Sequence, residues 1–213
     1  MRSFARPSLL AALMALAACG PATRAPAPGE PPAPVLAGPV APMVPPAPAT
    51  PDVSAFEAEA RLLVPSFAGE LLATVQQAMT AGGPVAAMAA CQVAAPAIAS
   101  RHSRQPWRVG RTALRVRNPA NAPDAWEREV LARFVVAAAQ GAPLSELRLG
   151  EVVAGEYRYM QAIATGEPCL ACHGQTLAAP VQAALRQQYP GDAATGFALG
   201  DLRGAFTLRR RLE

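Results

Sequence analysis

The chain has 213 residues, is 52% hydrophobic and 16% charged, and carries a formal net charge of +4. No strongly basic patch argues for nucleic acid. All 19 cationic side chains are arginine, which excludes a lysine ligand to any metal.

Residues 1–18 read as an export signal. Arg2 and Arg6 form a positive start, and Leu9–Ala18 is an apolar stretch too short to span a bilayer of roughly 30 Å. It ends in Leu16-Ala17-Ala18-Cys19-Gly20, small residues before a cysteine, as in the lipobox of bacterial lipoproteins. Lipid attachment at Cys19 is therefore expected. The alternative is an ordinary cleaved signal with an incidental cysteine, but a spare exported thiol is a liability. Cys19 and the Pro/Ala-rich residues up to 52 have almost no charge and no aromatic residue. They suit a semi-extended linker of ~3.1 Å per residue rather than a core. Residues 53–213 are about the size of one domain.

Within that domain, residues 53–81 carry Phe56, Leu62, Leu63, Phe67, Leu71, Leu72, Val75 and Met79 at roughly helical spacing, with a kink or break expected at Pro65. Gly82-Gly83-Pro84 ends this run. A second helix over 84–100 carries Cys91 and is again threatened by a proline, Pro96. Over 107–117, Thr112, Leu114 and Val116 alternate with Arg111, Ala113, Arg115 and Arg117, the period of a half-exposed strand. Asp124 caps a helix running to about Ala139. Strands are expected near 146–154, 156–164 and 204–210, with a short helix over 181–188. Helices first, then strands mixed with helices, predict an α+β domain with an antiparallel sheet.

The most informative stretch is Cys169-Leu170-Ala171-Cys172-His173, which reads C-x-x-C-H, the attachment signature of a c-type haem. Two thiols two residues apart can each add across one vinyl group of a porphyrin, and the next histidine can ligate iron. A zinc site would want a second ligand pair at similar spacing, whereas the other cysteines, Cys19 and Cys91, are far apart and His102 is the only other histidine. A redox dithiol would follow a strand in a βαβ pattern, and Gly166, Pro168 and Gly174 flank this motif instead. With lipid on Cys19 and haem on Cys169 and Cys172, Cys91 is left over and no disulfide framework is expected. Cys91, His102, Met88 and Met160 are all open as the second iron ligand. Each also has a plainer reading: core packing for the methionines and the cysteine, and a solvated loop for His102. Arg111, Arg115 and Arg117 are weaker candidates for pairing with haem propionates.

Further motifs occur in register. They are Cys91 with Ala95-Pro96-Ala97-Ile98-Ala99, Val109-Gly110-Arg111-Thr112, Arg115 through Asp124, Tyr157-Arg158-Tyr159-Met160, Cys169–Gly174, Tyr189-Pro190 and Gly200 through Phe206. In this order, over roughly residues 55–210, the chain resembles a family of exported single-haem domains long known only as domains of unknown function. The resemblance implies a PAS-like fold and one covalent haem held by Cys169 and Cys172. It also implies His173 as one axial ligand, Cys91 as the other, and a place, in some members, as the sensory part of membrane histidine kinases.

Three function classes follow. The first is a redox or small-ligand sensor, the second a membrane-tethered electron carrier, and the third, far behind, a haem enzyme such as a peroxidase. Nothing outside the motif forms an acid–base constellation, and a filled sixth position would block a substrate, so no enzymatic activity is expected. The expected location is the periplasmic face of a bacterial membrane, held by the lipid at Cys19. The expected partner is a redox or signalling protein, not nucleic acid.

Overall fold

A computed structural model describes residues 52–212, so the export signal, Cys19 and the proline-rich linker lie outside the described residues. Helix α1 spans Ser54–His102. Its buried residues Ala60, Val64, Phe67 and Leu71 recur every three or four positions and line one face. Both expected helices are present within this span and meet at a kink. The expected boundary survives as a break, because Gly82 (φ −160°, ψ 19°) and Gly83 (φ 71°, ψ −164°) leave helical geometry. Gly83 adopts a backbone that side-chain-bearing residues avoid.

Neither Pro65 nor Pro96 breaks the helix, since helical dihedrals run through both. Each proline leaves a carbonyl unpaired four residues earlier, at Arg61 and Gln92, and both of those residues are exposed. Water can therefore satisfy what the helix cannot. The expected apolar face was also too broad: Leu62 and Leu72 are 75% and 48% exposed.

Four strands form one antiparallel sheet in the order β1-β4-β3-β2: β1 Trp107–Thr112, β2 Arg148–Val153, β3 Glu156–Ala164 and β4 Leu202–Arg211. The β2–β3 hairpin turns on Ala154 and Gly155, both at positive φ, as a tight two-residue turn requires. Helix α1 packs on one face of the sheet, against Trp107, Val109, Tyr157, Tyr159 and Leu208. Helix α2, Ala125–Ala139, covers the opposite face with Val130, Leu131 and Phe134 on Met160, Ala162 and Ala205. Asp124 caps α2 in a reciprocal capping box with Glu127. The same two carboxylates receive Arg158 and Arg209 from the sheet. The domain is therefore α+β, with its sheet between helices on both faces.

The strand expected to run to Arg117 stops at Thr112, and Leu114 is 48% exposed. Beyond Thr112 the chain leaves the sheet and delivers Arg115 and Arg117 to the loops around the motif. Two short helices, α3 Glu167–His173 and α4 Ala179–Gln188, follow β3. Helix α4 and Cys172 of α3 pack with Val85 and Met88, on the part of α1 beyond the glycine break.

Candidate cofactor site

The C-x-x-C-H residues fold as α3. One helical turn separates Cys169 from Cys172, so both thiols share a face, and His173 ends the helix. Residues 192–201 clamp this turn. The Phe197 N–H donates to the His173 carbonyl at 3.0 Å, the Gly196 N–H to the Gly174 carbonyl at 3.0 Å, and the Thr165 N–H to the Asp201 carbonyl at 2.8 Å.

The His173 ring is fixed on both sides. Its Nδ1 lies 2.6 Å from the Ala194 carbonyl oxygen. A carbonyl only accepts, so Nδ1 carries the proton and Nε2 keeps its lone pair, the tautomer a metal-binding imidazole needs. The ring meets Phe197 edge-on, with centroids 6.4 Å apart. Burial, then the positive charges of Arg203 and Arg117, push the His173 pKa down to about 3, against the Ala194 bond, which raises it. The imidazole is neutral at any ordinary pH.

Asp192 organises the clamp. One carboxylate oxygen accepts the Ala194 N–H at 2.8 Å, and the other pairs with Arg117 at 3.1 Å. Arg117 in turn donates to the Cys172 carbonyl at 2.6 Å. A single network thus runs from the backbone of the second motif cysteine, through Arg117 and Asp192, to the residue that orients His173.

Cys172 Sγ lies 3.7 Å from the Pro84 carbonyl oxygen, which sets the motif against the second part of α1. Cys91 is seven residues past Pro84, two helical turns on, and so lies on the same side about 10 Å along the axis. Burial raises the Cys91 thiol pKa, while the charges of Arg111 and Arg117 pull it down. Burial also raises that of Cys172; Arg117 opposes this, and the neighbouring thiols Cys91 and Cys169 add to it. The fold therefore gathers Cys91, Cys169, Cys172 and His173 into one neighbourhood, and the three cysteines are unpaired.

The other candidate ligands are engaged elsewhere. Met88 is buried against Val181, Ala184 and Leu185. Met160 is buried on the α2 side of the sheet. His102, expected in a solvated loop, instead ends α1, where its Nε2 lies 2.8 Å from Glu70 and its ring packs on Phe67.

Among the described residues, no group of three or more His, Cys, Asp and Glu could hold a metal ion unaided. One neutral imidazole with a free Nε2, one thiol on a facing helix and a pair of free thiols instead fit a group that brings its own equatorial donors, as a porphyrin does. An open cleft of about 350 Å³ lined by Gly174, Leu185, Tyr189 and Asp192 adjoins the motif.

Sequence reasoning missed Asp192, Ala194, Phe197 and Arg203. No pattern in the sequence announces a backbone carbonyl as the partner of a histidine. Arg115 proves to be a structural residue: it donates to the Thr195 carbonyl at 2.9 Å and stacks 3.6 Å over Phe197.

The profile of the Tll0287-like family matches residues 48–210. A comparison with curated proteins finds no match. Among solved structures, that of the cyanobacterial haem protein Tll0287 shares the fold. It matches at a TM-score of 0.51 and 24% identity, over 73% of this chain and 96% of that one. By the extent of the profile match, which takes in the motif and all of the sheet but its last residue, the chain belongs to the Tll0287-like family.

Proposed function

We propose that this protein is a PAS-like haem c domain that binds one haem covalently and serves as a redox or small-ligand sensor. Cys169 and Cys172 would hold the haem as two thioethers, each thiol's S–H adding across one vinyl group so that no atom is left over. His173 Nε2 and Cys91 Sγ would hold the iron. The haem supplies one-electron chemistry at iron. The chain supplies the rest: a fixed neutral imidazole on one side, and a thiol that loses its proton on coordination on the other. We propose also that the protein is not an enzyme, since with His173 and Cys91 both on the iron no position there would be open to a substrate.

The observation that carries this reading is the His173 geometry, with Nδ1 committed to Ala194 and Nε2 free beside the paired thiols. The sensory reading draws support from α1. Cys91 lies beyond the Gly82–Gly83 break, on the segment that touches the motif, so a change of ligation at Cys91 acts on a helix segment with a built-in joint. The proposed setting is the periplasmic side of a bacterial membrane. The lipid at Cys19 would hold the domain there, and residues 20–52 would give it reach towards a redox or signalling partner.

The test is a redox titration followed by absorption on purified holoprotein, with and without carbon monoxide or nitric oxide. A low-potential, six-coordinate haem whose thiolate gives way to the added ligand supports sensing. A closed haem with fast electron exchange would assign the protein to electron carriage instead.

A further inference from the structure

Three arginines from different elements converge on the motif. Arg117 is paired with Asp192, but among the described residues neither Arg111 nor Arg203 has a carboxylate partner. Arg203 donates only to the Arg115 carbonyl, at 3.4 Å, and lies 5.1 Å over Phe197, the ring that also abuts His173.

Their placement is built into the sheet. On β1, Trp107, Val109 and Arg111 share the face that meets α1, and the first two enter the core. Arg111 extends that row to the end of the strand, towards Cys91. On β4, Gly204 pairs with Ile163 and Leu202 with Ala164, so Arg203 is the extra residue of a bulge. Without it, the alternation of the strand would turn Arg203 to the α2 side, with Ala205 and Thr207; a bulge re-aims a side chain. Gly204 makes the bulge possible, because a Cβ there would stand 2.5 Å from the Thr112 carbonyl oxygen.

A guanidinium keeps its charge in a protein, and gathering like charges in a half-buried site without an anion is costly. Burial, then the charges of Arg111 and Arg117, press the Arg203 pKa down to about 10, which still leaves it charged at neutral pH. The site therefore holds two unpaired forks, shaped to accept carboxylates bidentately. Haem brings two carboxylates, its propionates.

We propose that Arg111 and Arg203 bind the two propionate carboxylates of the haem, fixing the tilt and position of the macrocycle between His173 and Cys91. The inference rests on the haem reading above. Arg117 is the support beneath this clamp, committed to Asp192 and the Cys172 carbonyl.

The experiment uses full-length holoprotein. Haem content is first measured on the wild type by the pyridine haemochrome assay. Propionate bending bands are then recorded by resonance Raman spectroscopy for wild type, Arg111→Gln, Arg203→Gln and the remote control Arg108→Gln. The expected result is a downshift of the propionate bands in both site variants and none in Arg108→Gln. Should either glutamine variant fail to mature, the corresponding lysine variant keeps the charge but loses the fork, and a smaller downshift is expected. A wild type without haem would overturn the reading beneath the proposal. A haem-loaded wild type whose bands do not move in the site variants would overturn the proposal alone.

Discussion

Asp192 is the residue whose removal tests the site network most sharply. It is not a candidate ligand, yet it holds both the residue that orients His173 and the arginine that binds the backbone of Cys172. In Asp192→Ala two contributions are lost. The bond from the Ala194 N–H is worth about 1 kcal/mol. The Arg117 side chain, 13% exposed beside a carboxylate 7% exposed, is left as a nearly buried charge without its partner, which costs about 3 kcal/mol. Asp192→Ala should therefore destabilise the domain by about 4 kcal/mol. Asp192→Asn, which keeps an oxygen for Ala194 but not the charge, should cost about 3 kcal/mol. Equilibrium urea denaturation followed by circular dichroism measures both. The alanine variant should also show a higher midpoint potential, because His173 loses its hold on the Ala194 carbonyl and becomes a weaker donor. A loss below about 1 kcal/mol in Asp192→Ala, with an unchanged potential, would refute the network.

Three further outcomes are expected. Cys91→Ala should alter the absorption spectrum and raise the potential, since a thiolate favours ferric iron; a spectrum identical to wild type would remove Cys91 from the iron. Gly204→Ala should lower stability by about 2 kcal/mol in thermal denaturation, because the new Cβ meets the Thr112 carbonyl and the Ala113 side chain and forces the backbone apart. Asp124→Asn keeps the helix cap but loses the pairs with Arg158 and Arg209, at a cost of about 1 kcal/mol near neutral pH. Burial pushes the Asp124 carboxyl up, but the Arg158 bond, the Glu127 N–H and the two arginine charges outweigh it and hold the pKa below its ordinary value. Its contribution is therefore full above the normal carboxylate range and fades as pH falls through it. The gap between variant and wild type in urea titrations should close below about pH 4.

Elements governed by local chemistry were legible in the chain. The Asp124 cap, the β2–β3 hairpin and the short helix after the motif follow from residue types a few positions apart. The C-x-x-C-H motif was equally plain, because it is five consecutive residues. What the sequence concealed depends on partners distant along the chain. Pro65 and Pro96 were expected to disrupt α1, but helical dihedrals run through both, and Arg61 and Gln92, whose carbonyls they leave unpaired, are exposed residues. The alternation over 107–117 suggested a longer strand, but beyond Thr112 the close approach of Gly204 and the calls of Thr195 and Cys172 on Arg115 and Arg117 draw the chain away. Arg203 looked like any strand residue, since a bulge is defined by its pairing partner. His102 sat in a polar run, and only Glu70 and Phe67, more than thirty residues earlier, bring it into the domain.

The central claim is a single haem bonded to Cys169 and Cys172. It is tested most directly by intact-mass measurement of the purified protein after denaturation and acid–acetone extraction, alongside Cys169→Ser/Cys172→Ser. The account predicts a wild-type mass raised by one haem that resists extraction, and no such increase in the double variant. A wild-type chain that loses all its haem to the solvent, or a double variant that keeps it, would contradict the account.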